Sequence, residues 1–482
     1  MQRKFITNLA FLLFLNLLIK PFWILGIDRA VQNEVGAASY GLYAALFNFS
    51  FLFNILLDFG ITNFNNRNIA RHNHLLKKHL SGILTLRLVL AGVYFLVSLL
   101  VAALVGYSGR ELGLLTILLF NQGLLSLILY LRSNIAGLHL FRIDSVVSVL
   151  DRSIMIVICG IVLWGGVTDE PFRIEWFVWI QTIAYALTAL LTFAFLKSKL
   201  GDLRTNWDSR FALVILKKSY PFAILILLMT FYNRIDSVML ERLLPGGAEQ
   251  AGIYAQAYRL LDSVNMIAYL FSVLLLPMFS TMIKQKKPME DLVELSFSLI
   301  AVPALIVMAA CTVYSQDIMD ALYIHHVEES AAVFSVVIHC FLAMGSVYIF
   351  GTLLTAHGSL KALNIVAASA MCLNIALNLW LIPRYQAMGA AFSGLITQAV
   401  AALVQIALAH RIFGFKIRWG LAARYLILSL MVIASFLFSM NWSSQFVVNI
   451  LVGSVVSLLT ALLLKLIRPI ELIRLLKDRE QA

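Results

Sequence analysis

The sequence predicts an all-α integral membrane protein with about fourteen transmembrane helices, and two observations support this fold class. Of the 482 residues, 61% are hydrophobic and only 13% are charged, whereas soluble domains carry about 25% charged residues. Apolar runs follow one another from Phe5 onward, separated by short polar gaps. Many of them reach the roughly 20 residues that a helix needs to cross the hydrocarbon core. No large soluble domain is predicted.

The individual spans group into two repeated halves. The first apolar run continues from Phe5 to about Ile27 without an early cleavage site, so we interpret it as a membrane helix and not as a signal peptide. The segment at 41–48 resembles the segment at 252–259, and each opens a span that runs from outside to inside. The predicted parts are an N-terminal six-helix lobe (1–200), a cytoplasmic linker (201–216), a C-terminal six-helix lobe (217–412), and an extra helix pair with a cytoplasmic tail (413–482).

Basic residues predict the orientation. Lys and Arg outnumber Asp and Glu by 37 to 25, and they concentrate in the gaps on the N-terminal side of the membrane, which predicts that both termini are cytoplasmic. This distribution indicates a membrane protein and argues against nucleic acid as a partner. The basic stretch at 210–218 is interpreted either as an amphipathic helix on anionic lipid or as a solvated connector. The opposite gaps contain few basic residues, namely Arg29, Arg110, Arg173, Arg242 and Arg384.

Five basic residues fall within predicted spans, where a charge costs about 2.5–3.5 kcal/mol and usually faces a polar cavity or a partner. They are Lys20, Arg87, Arg152, Arg234 and Arg259. We place Arg87 and Arg152 near the cytoplasmic ends of their helices, and the other three in the outer half. Together they predict a cationic substrate cavity. The alternative is internal pairing with nearby acidic residues, which are also candidates for ion coupling: Asp58, Asp151, Asp236 and Asp262.

Polar side chains in the spans are candidate glycan contacts. The set comprises Asn48, Asn233, Tyr254, Asn374 and Asn378. Hydrogen bonding between helices is the commoner use of such residues in membranes and remains the alternative. Cys159, Cys311, Cys340 and Cys372 show no ligand spacing, so we predict buried apolar packing and no metal site. Pro21, which follows Lys20, predicts a distortion of the first helix.

Three parts of the sequence together resemble a family. They are Leu57-Asp58-Phe59-Gly60 with the preceding Tyr40-Gly41, the segment from Arg234-Ile235-Asp236 to Gly252-Ile253-Tyr254, and the run Leu373–Pro383 followed by Gly389-Ala390-Ala391. Over about residues 1–410 the chain resembles bacterial oligosaccharide flippases of the Wzx type, in the multidrug/oligosaccharide-lipid/polysaccharide exporter superfamily. The last two spans depart from a twelve-helix pattern and resemble the related lipid II flippases.

The resemblance implies a transporter and not an enzyme. The implied activity is alternating-access translocation of an undecaprenyl-pyrophosphate-linked oligosaccharide, such as an O-antigen of lipopolysaccharide, a capsule or an exopolysaccharide repeat unit. The implied location is the bacterial inner membrane, with membrane lipids and polysaccharide polymerase and chain-length machinery as partners. No cofactor is predicted beyond a coupling ion, Na⁺ or H⁺, or the membrane potential. A cation-coupled multidrug exporter of the same superfamily and a membrane polysaccharide polymerase or ligase are the alternative functions.

Overall fold

A computed structural model describes residues 15–16, 18–61, 76–138, 140–167, 169–200, 209–415 and 418–467. The predicted cytoplasmic gap at 61–79, the linker at 201–216 and the C-terminal tail lie largely outside these ranges, so the predicted orientation stays a prediction. The helices are α1 (Leu18–Leu52), α2 (Leu76–Val105), α3 (Gly109–Gly137), α4 (Phe141–Trp164), α5 (Ile174–Leu200), α6 (Ser209–Leu243), α7 (Gly247–Lys284), α8 (Glu290–Val313), α9 (Ser315–Leu322), α10 (Val327–Val337), α11 (Cys340–His357), α12 (Leu360–Phe413), α13 (Trp419–Ser439) and α14 (Phe446–Leu463).

The all-helical membrane fold is confirmed. Within the described ranges, twelve helical segments are long and apolar enough to cross a membrane, with α10 and α11 counted as one. Two of the twelve, α1 and α12, each contain one residue with non-helical backbone angles, Gly36 and Gln386. Each of these residues lies between two predicted spans, so α1 and α12 each account for two spans. The twelve segments therefore agree with about fourteen predicted spans. The segment 315–330, between two apolar spans, is partly helical, since it contains α9 and the start of α10.

The first helix is irregular after Lys20-Pro21, as the sequence predicts. The irregularity takes the form of a π-helical turn at Trp23–Asp28, which continues directly into the α-helix that begins at Arg29. Such turns are rare, and they occur often at functional sites. The predicted span therefore does not end at residue 27, because helical geometry persists to Gly36, whose φ of 76° is readily adopted only by glycine.

The chain divides into two compact units, Met1–Ala255 and Gln256–Ala482. Unit 1 holds α1 to α6 and the start of α7. Inside it, α1 and α7 approach closely at the two glycines of the repeated segment. A Cβ atom on Gly41 would overlap the carbonyl oxygen of Ala248, and one on Gly252 would overlap the carbonyl oxygen of Ala37. Glycine at the same place in both segments is therefore explained by one close helix crossing.

Unit 2 contains the rest of α7 and the helices from α8 to α14. The helix pair α13–α14 packs on α8 through a buried cluster that includes Val302, Val432 and Phe436. Hydrogen bonds support this packing, because Tyr314 and Ser439 share one at 2.8 Å and Ser298 and Tyr425 share one at 2.7 Å. The motif Leu373–Pro383 with Gly389-Ala390-Ala391 forms the turn of α12. A Cβ on Gly389 would overlap the carbonyl oxygen of Leu381.

Candidate functional site

Lys20 and Arg152 lie at the same level of unit 1, on α1 and α4. Four residues before each of them in the sequence, Asn16 Nδ2 donates a 3.0 Å hydrogen bond to Ser148 Oγ. Lys20 is half-buried and lies within electrostatic range of Arg152, Arg132 and Asp151. We call this group, with Asp144, the Lys20–Arg152 cluster: Lys20, Arg132, Asp144, Asp151 and Arg152.

The cluster corrects the depths assigned from sequence, which placed Lys20 in the outer half and Arg152 near the cytoplasmic end. A span that ends at residue 27 places Lys20 near the outer end of its helix. Because the helix continues to Gly36, Lys20 lies farther from that end, at the level of Arg152.

The carboxylates of the cluster neutralise only part of its positive charge. Asp144 is committed to Arg132, whose Nε lies 2.8 Å from Asp144 Oδ1. Asp151 is 3.9 Å from Arg152 Nε, a distance at the limit of an ion pair. Three cations therefore face two carboxylates. The surplus positive charge can attract an anionic group, as the prediction of a cationic cavity requires.

Aromatic rings surround the Arg152 guanidinium. Its Cζ lies 5.3 Å from the ring centre of Trp23 and 5.7 Å from that of Tyr185. Trp23 stacks on Phe177, which contacts Tyr43 edge to face. These cation–π contacts hold the guanidinium in place, and its Nη1 donates a hydrogen bond to Met155 Sδ at 3.3 Å. Arg152 is thus fixed in position mainly by aromatic rings, with one carboxylate at the limit of an ion pair.

Arg234, on α6, lies in a second polar group of unit 1, which it forms with Asn48 and Ser237. Its Nη1 is 3.5 Å from Asn48 Oδ1, and its Cζ is 5.7 Å from the Phe51 ring centre. Asn48 also donates to Ser237 Oγ at 3.1 Å. The structure therefore brings together Arg234 and Asn48, which the sequence analysis assigned to the cation and the glycan sets.

Arg87 has a different environment, because protein groups occupy its donors. It is 6% exposed, forms an ion pair with Asp58, and donates to the carbonyl oxygen and hydroxyl of Ser126 at 2.9 and 3.0 Å. The ring of Tyr130 covers its guanidinium at 4.6 Å. Asp58 follows the end of α1, where Phe59 and Gly60 both have positive φ. This arrangement favours the internal-pairing alternative for Arg87 and Asp58.

Most of the remaining candidate polar residues are committed to helix–helix or local hydrogen bonds. Asn374 and Asn378 are completely buried; Asn374 exchanges hydrogen bonds with Ser393 across the turn of α12, and Asn378 donates to Asn374 at 3.1 Å. Asn233 donates to the Met229 carbonyl of its own helix. These contacts favour the alternative use of Asn residues between and within helices.

Two carboxylates of unit 1 are buried beneath tyrosine hydroxyls. Tyr254 donates to Asp236 at 3.1 Å. Asp28 lies at the end of the π-helical turn and is 2% exposed, and Tyr40 Oη is 2.9 Å from both of its carboxylate oxygens. The predicted first span ends before both residues, so Asp28 is not among the predicted site residues and Arg29 is predicted to lie in an outer loop. In the structure the half-buried Arg29 is helical, and its buried Nε has no hydrogen-bond partner in the described part of the chain.

Arg259 and Asp262 lie one turn apart on α7, in unit 2, and both are half-buried. Their assignment to the substrate or coupling sets stays a prediction. Three of the four cysteines, Cys159, Cys311 and Cys340, are buried or half-buried, and Cys372 is exposed. Among the described residues, no group of three His, Cys, Asp or Glu side chains is arranged to hold a metal ion.

At the predicted outer end of unit 1, Arg242 lies in a network of opposite charges. Its Nη2 donates to Glu111 Oε2 at 2.6 Å, its Nε forms an ion pair with Glu241 at 2.8 Å, and its guanidinium lies over the Tyr107 ring. Tyr107 in turn donates to Glu241 at 3.1 Å. Burial raises the pKa of the Tyr107 hydroxyl, and the negative charge of Glu241 adds to the effect.

Solved structures with the same fold are transporters and flippases. A lipid II flippase, MurJ, in an inward closed conformation matches with a TM-score of 0.68 at 15% identity, covering 92% of this chain and 97% of that one. An inward-facing multidrug resistance MATE family transporter of the MOP superfamily matches with 0.63 at 14% identity, covering 85% and 98%. A MOP superfamily transporter from Pyrococcus furiosus, described as having a binding pocket of reverse polarity, matches with 0.57 at 13% identity, covering 84% and 93%.

Sequence comparison adds a family assignment. No curated protein matches the chain significantly. Residues 8–283 match the family described as polysaccharide biosynthesis protein, and this match covers more than half of the chain, including every candidate residue of unit 1. The shared fold and the family match confirm the resemblance to the multidrug/oligosaccharide-lipid/polysaccharide exporter superfamily. The chain is a multi-pass membrane protein that belongs to the polysaccharide biosynthesis protein family.

Proposed function

We propose that this protein is a flippase that moves an undecaprenyl-pyrophosphate-linked oligosaccharide from the cytoplasmic to the periplasmic leaflet by alternating access. The transported unit would be an O-antigen, capsule or exopolysaccharide repeat unit. The proposal places the protein in the bacterial inner membrane with both termini in the cytoplasm. Polymerase and chain-length machinery would act on its product.

The observation that carries the proposal is the Lys20–Arg152 cluster in a member of a polysaccharide biosynthesis family. A pyrophosphate is a multivalent anion, and Arg binds such groups through paired N–H donors. Aromatic rings and one carboxylate at 3.9 Å surround the Arg152 guanidinium, which leaves its positive charge only partly neutralised. Lys20 adds a second charge at the same level. A buried cation surplus costs free energy unless an anion compensates it, and the headgroup supplies that anion.

Translocation in cells tests the proposal. In a strain lacking the gene, we expect completed lipid-linked repeat units to accumulate on the cytoplasmic face while surface polysaccharide is lost. Wild type should restore transport, whereas Arg152→Ala and Lys20→Ala should reduce it at least tenfold at equal membrane abundance. Arg384→Ala is the matched control, because this exposed arginine on α12 lies over Trp380 and outside the cluster.

The same experiment separates the alternative functions. Repeat units that reach the periplasm but remain unpolymerised or unligated in the deletion strain would indicate a later enzyme. The fold shared with multidrug transporters keeps a cation-coupled exporter as the second candidate. Efflux of a fluorescent organic cation by the purified, reconstituted protein, without flipping of the lipid-linked glycan, would favour the exporter.

A further inference from the structure

A cleft of about 660 Å³ lies at the predicted outer end of unit 1, away from the Lys20–Arg152 cluster. The break at Gly36 shapes one wall, where Glu34 and Ser39 flank it. The start of α3 supplies Arg110, and the first turn of α5 with the loop before it supplies Arg173, Glu175 and Trp176. The volume falls within the roughly 300–1,000 Å³ that small-molecule sites occupy.

The charged groups of the cleft balance one another. Its lining contains two arginines and two glutamates, so it carries no net formal charge. Arg110 is fixed by Glu175, with Nε and Nη2 at 2.7 and 2.6 Å from the same carboxylate oxygen. Arg173 is paired with Glu170 at 2.9 Å. A lining without surplus positive charge, in which both arginines are paired with glutamates, suits an uncharged polar ligand better than a phosphate, in contrast to the Lys20–Arg152 cluster.

An aromatic surface complements these polar groups. Trp176 is half-buried and contacts Phe172 edge to face, with ring centres 6.0 Å apart. The contact restricts the indole, and Phe172 is itself 7% exposed. A sugar ring presents hydroxyls at its edge and apolar C–H groups on its faces. Paired Arg and Glu side chains match the hydroxyls, and an indole matches the faces.

We infer that this cleft is a saccharide-binding site, which holds one or more sugar units of the glycan at the outer face. The inference rests on the proposed function, because translocation is what brings a glycan to this end of unit 1. It adds a site for the uncharged part of the substrate, separate from the cationic cluster for the pyrophosphate. Binding here would retain the glycan on the outer side and disfavour its return.

Saturation-transfer NMR on the purified full-length protein tests the inference. The probe is the free oligosaccharide released by mild acid from the lipid-linked repeat unit of the strain that encodes the chain. We expect saturation transfer to the sugar protons with wild type, and about tenfold weaker binding, or 1.4 kcal/mol, with Trp176→Ala. Glu175→Gln should weaken binding to a similar degree because it releases Arg110. Trp380→Ala is the matched control, since Trp380 is an exposed tryptophan that pairs with Arg384 outside the cleft.

The outcomes separate this inference from the proposed function. If wild type transfers no saturation to the glycan, or both cleft variants bind it as wild type does, the inference is wrong. Equal loss with Trp380→Ala, or equally strong binding of a tripeptide of similar size, would also overturn it. If Trp176→Ala does not fold, Glu175→Gln decides the matter alone. If the glycan binds but the protein does not flip the lipid-linked substrate, the proposed function is wrong, whereas the assignment of the cleft as a saccharide-binding site stands.

Discussion

Arg152 and Arg242 lie in the same unit, yet they are held in opposite ways. Glu111, Glu241 and Tyr107 compensate the charge of Arg242. Arg152 is held mainly by the faces of Trp23 and Tyr185, and its nearest carboxylate is 3.9 Å away. An arginine whose charge is neutralised by carboxylates stabilises the fold, whereas one held mainly by aromatic rings keeps a positive charge that an anionic ligand can neutralise. The two environments therefore predict different consequences of the same substitution.

The largest loss of stability is expected for Arg87→Ala. Removing this buried guanidinium leaves Asp58 and Ser126 without their partner, and breaking a buried ion pair in this way costs about 3 kcal/mol. The thermal unfolding midpoint of the purified protein should fall well below that of wild type. Arg87→Lys keeps the charge and should recover part of the loss. An unchanged midpoint in Arg87→Ala would show that carboxylate pairing does not mark structural arginines here.

Arg242→Ala should be the next most destabilising substitution. The network is partly exposed, so we expect about 2 kcal/mol, between the values typical of buried and of surface pairs. Translocation per folded molecule should stay close to wild type. A specific loss of translocation with normal stability would break the distinction between the two kinds of arginine.

Arg152→Ala should have the opposite profile, with less than about 1 kcal/mol lost in stability, since the substitution removes cation–π contacts, a hydrogen bond to a sulfur atom and a long ion pair, and no close ion pair. The expected fall in translocation is at least tenfold. Comparing unfolding midpoint and transport for Arg87, Arg152 and Arg242 variants in one series would sharpen the contrast. A large fall in the midpoint of Arg152→Ala would assign this residue to the structural group.

The smallest expected effect concerns Tyr107 and alkaline pH. Its pKa is raised above the usual 10.0 by burial and by Glu241, so the folded state keeps the proton that the unfolded chain gives up first. Stability from this group is complete below pH 10 and falls as the pH rises further. The unfolding midpoint of wild type should therefore drop more steeply above about pH 10 than that of Tyr107→Phe. Parallel curves for the two proteins would contradict this.

The sequence was sufficient for the class of fold, because hydropathy follows directly from composition, and it identified charged residues that lie within the helices. It did not predict the depth of Lys20 in the membrane relative to that of Arg152. The polar residues that begin at Asp28 predict the end of the first span, but the helix continues through a π-helical turn as far as the break at Gly36. This error placed Lys20 and Arg152 at different depths and left Asp28 and Arg29 outside the predicted span. The sequence also does not show which charged residues form ion pairs, since Arg87 and Arg152 are both intramembrane arginines and differ only in tertiary contacts.

The most direct test of the central claim is binding of undecaprenyl pyrophosphate to the purified protein by native mass spectrometry. We expect wild type and Arg384→Ala to bind the lipid equally, and Arg152→Ala and Lys20→Ala to bind it at least tenfold more weakly. Undecaprenol, which lacks the pyrophosphate, should bind all four proteins alike. Equal retention of undecaprenyl pyrophosphate by wild type and by both cluster variants would contradict the assignment of the Lys20–Arg152 cluster to the headgroup.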